Sequence, residues 1–231
     1  MYSLECLEKL SEEFILINTR KSNIYKKLHN SLVKKDLSKF YIKRGIMRRV
    51  SYMASAIENI FSLFPPNQDK LLDADIIDRL VMNLQIFCIN ICGVLDNLAL
   101  IYKIENDLDI SDSHVNLFNK NKKSKKTDRL YIRDMLKEEF REYLESVDEW
   151  HDEYVKTYRD SLCHKIPLYI PPYLQDDSGN KSPSFFMLFE KDSKNSNDYN
   201  SMNFHPQIIA DFMTIEEIIC KFFDQFKTQD L

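Results

Sequence analysis

The sequence predicts an all-α bundle. Three observations carry the prediction: apolar residues recur at alternating steps of three and four over long segments, glycine is nearly absent, and β-capable runs are confined to one short stretch. Only Gly45, Gly93 and Gly179 occur in 231 residues, too far apart to build a phosphate-cradling loop of clustered glycines. A composition of 44% hydrophobic and 29% charged residues, with a formal net charge of −4, excludes collagen-like and disordered classes. The length suits a single helical domain over 1–231: basic helices over 1–45, a bundle core over 46–166 and 206–228, and a loop or hairpin insertion over 167–205.

Residues 1–50 hold 12 bases and 5 acids, while the remainder of the chain is net acidic. The spacing predicts two helices here, one on Leu7, Leu10, Phe14 and Ile17 and one on Ile24, Leu28 and Leu32, with Lys34 to Arg49 as a link. Their positive charge is either a solvated face or a landing strip for a polyanion such as RNA. From Ile46 to Phe64 an apolar pattern (Val50, Met53, Ile57, Ile60, Phe61) runs until Pro65-Pro66, which no helix continues through.

Asp73, as N-cap, opens a segment reaching Ile104 that after Leu84 is apolar on nearly all sides, as a central bundle helix should be. Cys88 and Cys92 share one of its faces at a spacing that suits a metal, but no further ligand cluster accompanies them, so they read as core; no metal or cofactor is expected. Residues 105–128 are polar, with a lysine-rich run from Lys120 to Lys126, and read as a surface loop or a nucleic-acid contact. After Thr127 or Asp128 as cap, Leu136, Phe140, Tyr143, Val147, Trp150 and Tyr154 predict one long helix that Pro167 ends. That stripe makes Trp150, Tyr143 and Phe140 buried residues rather than base-stacking platforms, and puts His151 at its boundary.

The prolines of 167–174 impose extended chain, and Ser184 to Glu190 is a strand that can pair with Tyr199 to Phe204. A last helix, from about Pro206 to Phe226, carries Ile208, Phe212, Ile215, Ile219 and Phe222, with His205 near its start. Five scattered cysteines in apolar settings, an acidic N-terminus and no uninterrupted apolar span predict a cytoplasmic protein without a membrane segment.

One string stands apart: Arg159, Asp160, Ser161, Leu162, Cys163, His164 at the end of the long helix. At about 100° per residue from Tyr154, Arg159 falls near ~140° and His164 near ~280°, both off the core stripe and about 7.5 Å apart along the axis. A histidine titrating near neutrality can move a 2′-hydroxyl proton while a guanidinium binds the phosphate, which suits RNA cleavage. The bland alternative is surface charge plus a histidine at the negative end of the helix dipole.

The string resembles the Rx4–6H signature of the HEPN superfamily (higher eukaryotes and prokaryotes nucleotide-binding), and its surroundings resemble that family too: the proline-rich exit after His164 and the central helix with Leu95-Asp96-Asn97-Leu98-Ala99. The resemblance covers mainly residues 73–166 and makes 46–166 with 206–228 a HEPN-like core. It implies a metal-independent endoribonuclease acting on single-stranded RNA, with a composite site where two copies pack motif against motif, in toxin–antitoxin or antiviral defence systems. Arg159 and His164 become the catalytic pair, with Asp160 orienting them. Asp96 and Asn97 are candidates for support from the neighbouring helix. The implied partners are RNA, a second copy, and an antitoxin or regulatory protein. Some HEPN-like proteins instead bind nucleotides or proteins without catalysis.

Overall fold

The computed structural model describes residues 2–119, 131–164, 167–190 and 199–226, with the side chains of Ser113, Cys163, His164, Glu190 and Tyr199 outside that description. The fold is all-α with a small β excursion. Thr127, Asp128 and the Lys120 to Lys126 run lie outside the described residues.

Helix α1 (Leu4–His29) starts where Ser3 Oγ accepts the Cys6 amide at 3.2 Å and buries Leu10, Ile17, Ile24 and Leu28. The two expected N-terminal helices are therefore one. No glycine or proline separates Ile17 from Ile24, so extending a formed helix costs less than nucleating a second; Leu32 lies beyond its end and is exposed. The supposed link over Lys34 to Arg49 is also helical. Helix α2 (Asp36–Phe40) passes through a first π turn (Tyr41–Ile46) into α3 (Met47–Leu63), and Glu105 accepts the Lys34 and Lys35 amides at 2.9 and 3.0 Å where α2 begins.

Helix α4 (Ala74–Glu105) is the central element, with Leu80, Leu84, Phe87, Ile91, Val94, Leu98 and Ile101 fully buried. Asp73 sits at its N-cap in extended conformation, but its carbonyl rather than its carboxylate takes the first amides. Among the described residues α4 alone is long and apolar enough to cross a membrane, and most of that stretch is buried inside the bundle.

After Glu105 the chain is less polar in effect than in composition. Ile110, Val115, Leu117 and Phe118 are buried around a short 3₁₀ turn (Asp112–His114), so residues 106–119 form an anchored strap rather than a free loop. The expected long helix over 128–166 is broken into α5 (Ile132–Met135), α6 (Glu138–Ser146), a second π turn (Trp150–Val155) and α7 (Lys156–His164). Leu136 and Lys137 are extended, and Arg133 closes the corner with two bonds to Asp148, at 2.5 and 3.0 Å.

The excursion contains two antiparallel hairpins, β1 (Leu174–Gln175) with β2 (Lys181–Ser182) and β3 (Phe186–Glu190) with β4 (Tyr199–Asn203), the second in the expected pairing. Phe185, Met187 and Phe189 point into the core on alternate positions. Helix α8 (Phe204–Asp224) closes the bundle with Ile208, Phe212, Ile215, Ile219 and Phe222 buried. At its start His205 is buried, its Nε2 2.7 Å from the Phe64 carbonyl at the end of α3, and its Nδ1 3.3 Å from the Tyr2 hydroxyl. Burial lowers this imidazole to about 4, so it is neutral: Nε2–H donates to the carbonyl and Nδ1 accepts from Tyr2.

The charge asymmetry along the chain has a structural counterpart. α1 lies against α8, where Arg20 bonds both Glu13 (2.7 Å) and Glu216 (2.9 Å), and Lys27 bonds Asp224 (2.5 Å). Part of the N-terminal positive charge thus serves the protein's own acids rather than an outside polyanion.

Candidate functional site

Helix α7 owes its orientation to what lies behind it. Tyr158 is fully buried, its hydroxyl 2.9 Å from Met202 Sδ and its ring edge-on to Phe189 at 5.1 Å, so α7 is clamped against β3 and β4. The next residue, Arg159, is consequently exposed, and Asp160 is half-buried beside it. The approach to α7 departs from the ideal wheel. Within the second π turn each turn is wider than 3.6 residues, and the buried position moves from Tyr154, which is half-buried, to Val155. Cys92 of α4 lies 3.8 Å from the Val155 carbonyl and ties this turn to the central helix.

Arg159 and Asp160 face a polar cleft on α4. A cavity of about 160 Å³ is lined by Cys92, Asp96, His151, Lys156, Arg159 and Asp160; it adjoins a second, about 560 Å³, that reaches Tyr41, Leu100 and Asp112. Asp96, Asn116, Asn119 and Arg159 line both. Three pieces of chain therefore meet here: the exposed side of α4, the anchored strap, and the second π turn with α7. Tyr41 brings the first π turn to the rim, so both irregular turns of the helical chain border the cleft.

The electrostatics of the cleft centre on Asp96. Loss of hydration raises its carboxyl above the usual range, while Arg159, Arg49 and His151 pull in the opposite direction. Arg49 reaches α4 because Gly93 leaves room: a β-carbon at Gly93 would collide with the guanidinium, which also bonds Asn90 Oδ1 at 3.2 Å. Burial lowers the His151 imidazole below the ordinary value, against the pull of Asp152 (2.9 Å) and Asp148. It stacks on Phe118, ring centroids 3.9 Å apart and planes within 1°, and so fixes the end of the strap to the π turn.

Of the candidate residues, Arg159, Asp160 and Asp96 are brought together, and His164 closes α7 at its backbone, its side chain lying outside the described residues. Asn97 is not brought to the cleft. It is buried on another side of α4, donating to the Gly93 carbonyl and packing where Gly45 lacks a side chain. Cys88 is core, and burial pushes its thiol up. No disulfide links Cys6, Cys88, Cys92 and Cys220. Among the described residues no three His, Cys, Asp or Glu side chains converge as a metal site would require.

The sequence reading missed His151, Asn116, Asn119 and Tyr41. A signal existed for the strap, since Ile110, Val115, Leu117 and Phe118 are apolar residues in an otherwise polar stretch. No signal marked the π turns. The chain matches no protein-family model, no curated protein and no solved structure.

Proposed function

We propose that the protein is a metal-independent endoribonuclease of the HEPN type, acting as a homodimer on single-stranded RNA in the cytoplasm, with Arg159, His164 and Asp160 as its catalytic group. One observation carries the reading: Arg159 and Asp160 line an open polar cleft together, and His164 ends the same helix about 7.5 Å further along its axis.

In this reading Arg159 binds the scissile phosphate with paired hydrogen bonds that strengthen as negative charge builds on its oxygens. His164 takes the proton of the neighbouring 2′-hydroxyl, whose oxygen attacks phosphorus. The bond to the 5′-oxygen breaks, that oxygen receives a proton, and a cyclic phosphate and a free 5′-hydroxyl remain. Asp160 holds the orientation of the pair. A second copy related by two-fold symmetry supplies a second Arg159 and His164 and hence a second proton donor. An antitoxin or regulatory protein would act by covering this cleft.

The test is cleavage of an end-labelled single-stranded RNA by the full chain in excess chelator. His164→Ala and Arg159→Ala are each expected to lower the rate by at least ~100-fold with helicity and oligomeric state retained. Absence of cleavage by folded dimer across several RNAs overturns this reading in favour of a non-catalytic nucleotide- or protein-binding module.

A further inference from the structure

The larger part of the cleft lies outside the reach of the chemistry just assigned. Its volume of about 560 Å³ falls within the roughly 300–1,000 Å³ typical of small-ligand sites. Its walls combine one guanidinium (Arg159), two amides (Asn116, Asn119), two carboxylates (Asp96, and Asp112, which is already paired with Lys103 at 2.6 Å), and the side chains of Tyr41 and Leu100.

One of the two amides, that of Asn116, is held rather than loose. Asn116 Oδ1 accepts the Phe118 amide at 2.7 Å, which locks its rotamer and directs its remaining capacity to the Nδ2 donors. On either side Val115, Leu117 and Phe118 are buried, and Phe118 is stacked against His151. The strap thus shows buried anchors interleaved with the cleft-lining Asn116 and Asn119. Preorganised donors beside a carboxylate are what a planar base edge requires.

We propose that this cleft is a base-reading subsite, in which Asp96, Asn116 and Asn119 recognise an unpaired guanine next to the phosphate bound by Arg159. Guanine fits because its edge presents two adjacent N–H donors, which one carboxylate accepts together, and beside them a carbonyl oxygen that an amide N–H reaches. Adenine and cytosine offer one amino group each, and uracil a single N–H between two acceptors. Tyr41 and Leu100 form the apolar walls against which the ring lies. The subsite rests on the RNA reading of Arg159 and adds a substrate preference to it.

The experiment measures binding of fluorescein-labelled RNA heptamers by anisotropy to the full chain carrying His164→Ala, so that substrate is not consumed. The heptamers are all-uracil, or uracil with a central guanine, adenine or cytosine. The central guanine is expected to tighten binding by about tenfold over the other three, the discrimination of one good two-bond base contact. Asp96→Asn and Asn119→Ala, both at exposed positions, are expected to bring that ratio towards one, whereas Arg159→Ala weakens all four heptamers alike. Equal binding of the four RNAs, no binding to any of them, or a guanine preference that survives both substitutions overturns the subsite. Guanine-selective binding in a wild-type chain that cleaves nothing overturns the nuclease reading alone, and cleavage without base preference overturns the subsite alone.

Discussion

Two carboxylates flank the second π turn, and the fold treats them in opposite ways. Asp211 on α8 is buried, accepts Trp150 Nε1 at 2.8 Å and Gln207 Nε2 at 2.7 Å, and meets only protein. Asp96 on α4 stands in the open cleft with Arg159 and Arg49 in its field. Loss of hydration raises both, but hydrogen bonds oppose it at Asp211 and cations oppose it at Asp96. The neighbours Trp150 and His151 divide between them, one turned to the buried acid and the other to the cleft. The pair separates a polar group that holds the fold together from one left available to a ligand. What distinguishes them is that two side-chain donors already hold Asp211 at its Oδ1, whereas Asp96 faces the open cleft.

The sharpest way to break that contrast is Asp211→Asn. The Asp211 carboxyl is raised to about 7 in the folded protein, against an ordinary value of 3.8 in the unfolded chain. Below about pH 3 it is protonated in both states and contributes no pH dependence. As pH rises from about 3 to 7 the unfolded chain ionises freely while the folded one holds on to the proton, so stability falls, by up to roughly 4 kcal/mol above pH 7. Asparagine cannot ionise, yet it keeps an oxygen for Trp150 and Gln207. Urea midpoints are therefore expected to be higher for Asp211→Asn than for wild type at pH 8 and to converge with it near pH 3; parallel profiles would show that Asp211 is ionised at little cost. Trp150→Phe should act in the other direction and less strongly. It keeps an aromatic ring, though a smaller one, and removes the indole N–H, one of the two donors, leaving an underserved buried acid, at a cost of about 1–3 kcal/mol at pH 8. Unchanged urea midpoints would mean that the indole bond is dispensable.

The same contrast marks what could be read in advance. Helices α4 and α8 were legible because unbroken apolar periodicity over more than 20 residues leaves no competing structure. The strand pairing of 186–190 was legible as a short β-capable apolar run after proline-rich chain. The break at Leu136-Lys137 was hidden because the three–four stripe continues through it: Leu136 and Phe140 are buried on either side of the bend, while Tyr143, Val147, Trp150 and Tyr154, expected to be buried, are only half-buried. The Arg159-Asp160 pair announced itself as a local string, but its surroundings did not. Asn116 and Asn119 lie some 40 positions earlier and reach the cleft only because the strap is anchored by Phe118 on His151, a long-range contact no local pattern encodes. Asp211 left a faint trace, as the lone acid in Ile208-Ile209-Ala210-Asp211-Phe212, where a charge interrupts an apolar face and must find buried donors. Gly93 left another. A glycine deep in a helix costs roughly 0.5–1 kcal/mol relative to alanine, and here the space it leaves is taken by Arg49.

The smallest expected effect on stability is the most informative about the cleft. Asp96→Asn removes a charge that is exposed and has no buried donor depending on it, so urea midpoints should stay within about 0.5 kcal/mol of wild type, unlike the change at Asp211. Its consequence should appear in binding instead. With one negative charge gone from a cleft lined by Arg159 and Lys156 and lying in the field of Arg49, the all-uracil heptamer should bind more tightly, and its affinity should fall more steeply as salt is raised. Both can be read from one anisotropy series between about 50 and 200 mM salt. A large loss of stability would place Asp96 among the structural acids with Asp211. An unchanged salt response would remove the phosphate backbone from the neighbourhood of Asp96, and with it the argument that Arg159 meets RNA on this face of α4.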